Sequence, residues 1–282
     1  MSYLMSIFLG FIQGVAEFLP ISSSGHLSIF QNLFGMEYAE ADHMFFDILL
    51  HLGTLLAVFV AYRKDIGEII KDTFALFKRA EVDDNGNKIA KKPSPRVREL
   101  IFIAIGTVPL FIMLPLFDFI ESLYYNTTVI AIALIVTGFM LFISDRLKKG
   151  KKNEKTMTVL DVLLVGVGQA IAIVPGISRS CTTICVGLAR GFKREFAVRF
   201  AFLLSIPAVL GSNILSLIDV IKTGAIEIAM LPVYLVGVLT AAVVGYLCIF
   251  LVKLIVSKSK FGSFAYYCWA AGLVTLILSF VL

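Results

Sequence analysis

A short apolar stretch near the start of the chain, IQGVAEFLPISSSGHL at residues 12–27, carries several polar side chains. Gln13 and Glu17 are spaced i, i+4, so they share one face of a helix. Pro20 ends that helix, because proline has no N–H to donate to the preceding turn. The polar residues beyond it are Ser22, Ser23, Ser24 and His26. Serines are good N-caps, so the stretch predicts a helical hairpin with a polar tip.

A second stretch, VPGISRSCTT at residues 174–183, repeats this arrangement. Its Pro-Gly pair breaks the chain, and hydroxyls follow at Ser178 and Ser180. Arg179 adds a fixed cation whose planar fork matches phosphate oxygens. The exposed N–H groups at the start of a half-helix also attract anions. Two such tips, brought together, would bind a phosphate or a diphosphate.

Glu17 and His26 are not needed to bind an anion, and the Glu17 carboxylate would repel one. Their presence indicates proton transfer, with a serine as candidate nucleophile. A carboxylate at membrane depth costs roughly 2.5–3.5 kcal/mol on insertion scales, so it normally faces a functional cavity. The alternative is that Glu17 only links helices by hydrogen bonds. For a further i, i+4 pair, Asp47 and His51, a structural role is favoured over support of this site.

The composition predicts a polytopic membrane protein. The chain has 282 residues, of which 59% are hydrophobic and 16% charged, and one soluble core could not bury so much apolar surface. The net charge of +5 lies in a few loops, which suits control of membrane topology better than nucleic-acid binding. The four cysteines fall in apolar runs and are expected to be small buried hydrophobes.

Six charge-poor runs are each close to the roughly 20 residues that a spanning helix needs. They lie at residues 44–62, 100–117, 122–144, 200–218, 228–252 and 261–282. The loops rich in Lys and Arg are residues 63–99, 145–161, 190–199 and 253–260. The loops at 37–43 and 118–121 are acidic and contain no Lys or Arg. The positive-inside rule therefore places the basic loops in the cytoplasm and the acidic loops outside.

Two segments are each too short to cross the membrane twice, so each is predicted to form a re-entrant hairpin. Residues 1–36 would enter from the outside and residues 162–189 from the cytoplasm. Non-helical backbone at this depth is tolerated only where it is buried in protein or lines a wet cavity. A shift of 156 residues also places Gln13 on Gln169 and Ser24 on Ser180.

The predicted fold is an all-α polytopic membrane protein with an inverted repeat, each half a re-entrant helical hairpin plus three transmembrane helices. The first repeat covers residues 1–144 and the second covers residues 162–282, with a basic cytoplasmic linker at 145–161. Such proteins place their binding site near the midplane, where broken helices of the two halves meet. The alternative is a set of ordinary helices whose similarity is accidental.

With these motifs the sequence resembles undecaprenyl-diphosphate phosphatase, the bacitracin-resistance family of bacterial inner-membrane proteins. The family pattern (Glu/Gln)-x-x-x-Glu running into P-x-S-S-(S/T)-G-H stands here as QGVAEFLPISSSGH. The pattern P-G-x-S-R-S-x-x-T stands as PGISRSCTT, and FDILLHLGTLLAV and FAFLLSIPAVLG are similar to further family signatures. The resemblance covers essentially the whole chain.

The resemblance implies hydrolysis of undecaprenyl diphosphate to the monophosphate and inorganic phosphate, which recycles the lipid carrier for peptidoglycan synthesis and confers bacitracin resistance. It implies a bacterial inner-membrane location, an active site open to the outer face, and dependence on a divalent cation, Mg²⁺ or Ca²⁺. The expected partners are the polyprenyl diphosphate substrate and membrane lipids, without nucleic acid. A homodimer is compatible with these expectations.

Motif positions assign the residue roles that the resemblance implies. The expected catalytic residues are Glu17, Ser23, His26 and Arg179. The expected substrate-binding residues are Gln13, Ser22, Ser24, Ser178, Ser180 and Thr183. Gln13 stands where other members often have Glu, which leaves Glu17 as the carboxylate available to a metal. Any cation would therefore be held largely by the substrate's phosphates.

Ser23 is the favoured nucleophile at the terminal phosphorus. Glu17 or His26 would take its proton, while Arg179 and the N–H groups of the tips stabilise the equatorial oxygens. Attack by His26, through a phosphohistidine, and attack by an activated water are the alternatives. A different class of function is a transporter or flippase of polyprenyl phosphate lipids, with Glu17 and His26 as a proton-coupling pair. The candidate nucleophiles and the resemblance favour the enzyme.

Overall fold

The computed structural model describes residues 1–33, 41–77, 81–82, 88–89, 93–223, 228–258 and 260–281. Within these ranges the chain is almost entirely helical. The short strands β1 (Glu81–Val82) and β2 (Lys88–Ile89) form an antiparallel pair. The helices are α1 (Tyr3–Phe18), α2 (Ser23–Leu33), α3 (Ala41–Ala61), α4 (Arg63–Phe77), α5 (Pro95–Phe111), α6 (Phe117–Leu123), α7 (Thr127–Ser144), α8 (Val159–Ile171), α9 (Arg179–Ala189), α10 (Arg194–Thr223), α11 (Leu231–Ser257) and α12 (Phe264–Val281).

Among the described residues, five helical segments are long and apolar enough to cross a membrane. They are Pro95–Leu123, Thr127–Ser144, Arg194–Lys222, Leu231–Ser257 and Phe261–Phe280. A sixth is formed if α3 and α4, which meet at a bend of 75°, are taken as one span. Large apolar side chains on these helices are exposed, as Leu239 and Ile277 are, and lipid would cover them. The prediction of an all-α multi-pass membrane protein is confirmed.

Helix α4 is a finding that the loop charges did not predict, because residues 63–99 were assigned to a basic loop. Its Ile69 is buried, whereas Ile70 and Phe74 are exposed among charged neighbours. This pattern is typical of an amphipathic helix at a membrane surface, where one face packs on protein and another reaches the headgroups. The charges therefore mark the end of a span without excluding a helix.

Two short helices follow chain breaks at corresponding positions. Helices α2 and α9 have 11 residues each, and the shift of 156 residues superimposes their bounds. Helix α1 packs against α11, and α8 packs against α5. At both crossings a glycine allows close approach, since a Cβ on Gly10 or Gly166 would collide with main-chain oxygen of the facing helix.

A cluster of ion pairs joins the linker to the base of the α8–α9 hairpin. The buried Asp161 carboxylate accepts hydrogen bonds from Lys152 Nζ at 2.7 Å and from Arg190 Nε at 2.8 Å. It also caps α8 by accepting the Thr158 N–H at 3.0 Å. The main-chain N–H of Lys152 donates to the carbonyl oxygen of Gly191, which follows α9. These contacts fix both legs of the hairpin at the end away from its tip.

Arg199, near the start of α10, is the centre of a second ion-pair cluster. Its guanidinium reaches Asp65 at 3.1 Å, the fully buried Glu99 at 2.9 Å and Glu154 at 3.4 Å. These partners come from α4, α5 and the linker. Ion pairs thus gather at one end of the helix bundle.

Candidate active site

The first tip, residues 19–26, turns through a left-handed residue. Ser22 has φ of 70°, a conformation that only glycine adopts readily. Its carbonyl oxygen accepts the His26 main-chain N–H at 3.2 Å and its Oγ accepts the Gly25 N–H at 3.3 Å. The tip is therefore fixed by hydrogen bonds that cap α2.

The second tip, residues 172–183, is held by α7. Thr137 Oγ1 donates to the Gly176 carbonyl at 3.0 Å and accepts the Ser178 N–H at 3.2 Å. Gly176 has φ of +91°, and a Cβ there would meet the Ile130 carbonyl oxygen, so glycine is required. Ser178 caps α9 by accepting the Cys181 N–H. Both tips therefore present the start of a helix with a serine cap.

Glu17 joins the two tips. One carboxylate oxygen forms an ion pair with Arg179 Nη2. The other accepts Ser23 Oγ at 2.7 Å and Gln13 Nε2 at 3.2 Å. The carboxylate is thus aligned to take the Ser23 proton. The ion pair with Glu17 also holds Arg179 of the second tip next to Ser23 of the first tip.

His51 also lies against this carboxylate. Its Nδ1 donates to the Asp47 main-chain oxygen at 2.8 Å, and its Nε2 lies 3.9 Å from Glu17 Oε2. Its ring therefore faces the site, which is the placement that the alternative role, support of this site, requires. The sequence could not reveal this, since the rotation of α3 depends on its packing against α10 and α11.

A cavity of about 460 Å³ opens where the two tips meet α5, α6 and α10. Its polar lining residues are Glu17, Ser22, Ser23, Ser24, His51, Thr107, Tyr124, Gln169, Ser178, Arg179 and Ser212. Its apolar lining includes Leu110, Phe111, Leu114, Phe117, Ile120, Ile173, Pro207, Val209, Ile214 and Leu215. The cavity is thus suited to an amphiphile with an anionic head and a hydrocarbon chain.

The structure leaves four of the predicted site residues out of the cavity lining. Gln13 reaches the site only through Glu17. Ser180 Oγ contacts Ser178 Oγ at 3.2 Å, and Thr183 Oγ1 donates to the Arg179 carbonyl within its own helix at 2.9 Å. His26 turns to α12, where its Nε2 lies 2.7 Å from the Tyr267 hydroxyl. Its Nδ1 lies 2.7 Å from the Ser22 carbonyl oxygen, so both ring nitrogens have partners.

Tyr124 and Gln169 are among the polar lining residues that were not predicted as site residues. Tyr124 follows α6 and shares a side-chain hydrogen bond with Ser24; no motif marks it. Gln169, near the end of α8, was noted only as the repeat counterpart of Gln13. That correspondence was the available signal for its place in the site.

The described residues do not by themselves form a metal centre. No group of three or more His, Cys, Asp or Glu side chains is placed to hold an ion among them. Both Glu17 oxygens already have partners, one of them the Arg179 cation. A hard cation needs several oxygen ligands, which this donor set lacks without a ligand's phosphates.

Comparison with known proteins matches residues 6–274 to the family described as Bacitracin resistance protein BacA. A relative from Methanosphaera stadtmanae, named undecaprenyl-diphosphatase, is 41% identical over 99% of both chains. One of the same name from Halothermothrix orenii is 39% identical over 97% of this chain and 96% of its own. Undecaprenyl-diphosphatase 1 of Shouchella clausii is 39% identical over 98% and 96%. Two tips, their shared carboxylate and these matches lead to one conclusion: the chain belongs to the bacitracin resistance protein BacA family.

Proposed function

We propose that this protein is an integral membrane phosphatase that hydrolyses undecaprenyl diphosphate to undecaprenyl phosphate and inorganic phosphate. The observation that carries the proposal is the Ser23–Glu17–Arg179 group at the polar end of a cavity with apolar walls. The names of the relatives support the same reaction. They do not favour the transporter alternative. Recycling of the lipid carrier and bacitracin resistance follow from this activity.

Ser23 is the proposed nucleophile. Its Oγ attacks the terminal phosphorus while its proton passes to Glu17, and the anhydride P–O bond breaks to release the lipid monophosphate. The N–H groups at the starts of α2 and α9 and the remaining donors of Arg179 stabilise the equatorial oxygens. Water then attacks the phosphoserine, and the Ser23 oxygen recovers a proton as phosphate leaves.

The remaining candidate site residues act around this step. Ser22, Ser24 and Ser178, whose side chains line the cavity, are proposed to bind phosphate oxygens. Gln13 orients Glu17 by its hydrogen bond. Ser180 and Thr183 hold the start of α9, and His26 is proposed to fix the Ser22 carbonyl.

A divalent cation, Mg²⁺ or Ca²⁺, is proposed to enter with the substrate, chiefly on its phosphates, with Glu17 as the nearest carboxylate. Added cation should then raise the melting temperature of the protein only when undecaprenyl diphosphate is present. Stabilisation by the cation alone would contradict this proposal.

The proposed setting is the bacterial inner membrane, in an inverted repeat with two re-entrant hairpins and the cavity toward the outer face. The cavity-lining Thr107 lies 12 residues along α5 from Pro95, which is roughly 18 Å of helix. The Arg199 cluster lies at the other, basic end, which the positive-inside rule assigns to the cytoplasm. Cysteine labelling that places residues 63–99 outside would contradict this orientation.

The direct test is release of inorganic phosphate from undecaprenyl diphosphate by the purified protein in detergent, with Mg²⁺ or Ca²⁺ present. Release by the parent should fall by orders of magnitude in both Ser23→Ala and Arg179→Ala. Loss in Arg179→Ala alone would keep the phosphatase and exclude Ser23 as nucleophile. No release by the folded parent would overturn the proposed function.

A further inference from the structure

The Gln169 side chain has unmet hydrogen-bonding capacity. Only 1% of the residue is exposed, and neither its Oε1 nor its Nε2 has a hydrogen-bond partner within the described part of the chain. Buried amides in native proteins are nearly always bonded, and one that is not calls for a physical explanation. Gln169 also lines the cavity, so a molecule that enters the cavity could supply the missing partner.

The lining residues near Gln169 in the chain are apolar, so its amide can donate a hydrogen bond into the cavity where they cannot. Ala172 and Ile173, which follow it in the chain, and Leu110 of α5 line the same cavity. Thr107 is polar, but its hydroxyl already donates to the Ile103 carbonyl at 2.8 Å. Gln169 is therefore a polar group among apolar lining residues, in a cavity that Arg179 also lines.

The repeat indicates the chemistry of the missing partner. Gln13, the counterpart of Gln169, donates its Nε2 to the Glu17 carboxylate at 3.2 Å. The shift of 156 residues places Ile173 at the position that corresponds to Glu17. The second half thus keeps the amide donor but has no carboxylate to occupy it.

We propose that Gln169 is a further substrate-binding residue, whose Nε2 donates to a phosphate oxygen of the bound lipid diphosphate. In this arrangement the phosphate oxygen accepts the hydrogen bond of Gln169, as the Glu17 carboxylate accepts the hydrogen bond of Gln13. A phosphate oxygen accepts hydrogen bonds and cannot donate once ionised, so it matches the two amide N–H groups. The inference rests on the proposed function for the identity of the phosphate.

The test compares Gln169→Met, which keeps the length of the side chain and removes its donors, with the parent. A hydrogen bond to a charged group supports an increase in KM for undecaprenyl diphosphate of roughly 10- to 100-fold, with kcat changed far less. The melting temperature should be unchanged or higher, because an unpaired buried amide is replaced by an apolar group. The matched control is Tyr62→Phe, which removes a buried hydroxyl that has no hydrogen-bond partner among the described residues and does not line the cavity; its KM should stay near that of the parent.

Inhibition by inorganic phosphate distinguishes the two phosphates of the substrate. If KM and the inhibition constant both rise in Gln169→Met, the amide binds the terminal phosphate; if KM alone rises, it binds the phosphate attached to the lipid. An unchanged KM overturns the proposal. So does an increase in KM accompanied by a fall of several degrees in melting temperature, which would assign Gln169 a structural role.

A failure of the proposed function would be seen separately, as absence of phosphate release by the parent. In that case the dissociation constant of undecaprenyl diphosphate, measured by equilibrium binding for parent and Gln169→Met, still tests the contact. A 10-fold or greater weakening supports it, and equal affinity overturns it.

Discussion

Arg179 lies 162 residues after Glu17 in the chain, yet its guanidinium forms an ion pair with the Glu17 carboxylate. The pair joins a hairpin near the start of the sequence to one beyond its middle. Ser23 contacts the other oxygen of the same carboxylate. The Glu17 side chain thus positions the two tips relative to each other and also aligns the Ser23 hydroxyl.

The first prediction concerns this pair. Glu17→Gln and Arg179→Met should each destabilise the protein by about 2 kcal/mol, because each removes a hydrogen bond between two charged groups that are largely buried. The double variant should regain most of the melting temperature and remain inactive. Thermal unfolding in detergent, with phosphate release, checks both parts. Additive losses of stability in the double variant would show that the two side chains are not coupled.

The second prediction concerns the left-handed Ser22. Ser22→Gly and Ser22→Ala both remove the hydroxyl, but glycine adopts φ of 70° without strain. The glycine variant should therefore be more stable than the alanine variant by about 1 kcal/mol. Melting temperatures of the pair provide the comparison.

Ser28, inside helix α2, is the control for that comparison. There the order should reverse, with Ser28→Ala more stable than Ser28→Gly by about 1 kcal/mol, because glycine is a poor helix former. The same order at both positions would show that backbone conformation does not decide the result.

The third prediction separates two roles of His26. Tyr267→Phe removes the hydroxyl at His26 Nε2 and should lower kcat/KM by about fivefold, the effect of one ordinary hydrogen bond. His26→Ala should cost more, because it also removes the bond to the Ser22 carbonyl. Steady-state kinetics measure both. Trapping of an acid-labile phosphohistidine at His26 during turnover would contradict a positioning role.

The fourth prediction is a pH dependence of stability. Burial raises the pKa of Asp161, but the hydrogen bonds from Lys152, Thr158 and Arg190 lower it by a larger amount. The net result is a pKa of about 2. A carboxyl with a lowered pKa in the folded state stabilises the protein above its unfolded pKa of about 3.9 and loses that contribution as the pH falls toward 2. The contribution is roughly 2–3 kcal/mol.

Melting curves between pH 3 and 7 test this prediction. The parent should lose stability below about pH 4, and Asp161→Asn should be less stable at neutral pH with a flatter profile. Identical profiles would show that Asp161 does not control the base of the second hairpin.

Local features of the sequence were enough to predict the two tips. Helices α2 and α9 begin at Ser23 and Arg179, directly after the prolines and serines that indicated breaks and caps. Those signals depend on neighbours within a few residues, so a single sequence contains them. The sequence also predicted that Glu17, Ser23 and Arg179 belong to one site.

Long-range packing decided what the sequence could not predict. His26 follows the serines of the first tip, yet its ring lies against Tyr267, 241 residues away. Tyr124 enters the cavity from a turn without a motif. The direction of such side chains depends on how α3, α7 and α12 rotate against their neighbours, which spacing along one helix does not determine.

The cavity draws on side chains from Ala16 to Leu215, and this has a consequence for biogenesis. A ribosome delivers the N-terminal part first, so Glu17 reaches the lipid phase well before Arg179 has been translated. A nascent chain that stops short of residue 215 holds only part of the pocket wall. Translation of α10 is therefore the stage at which a newly made polypeptide first acquires the complete pocket.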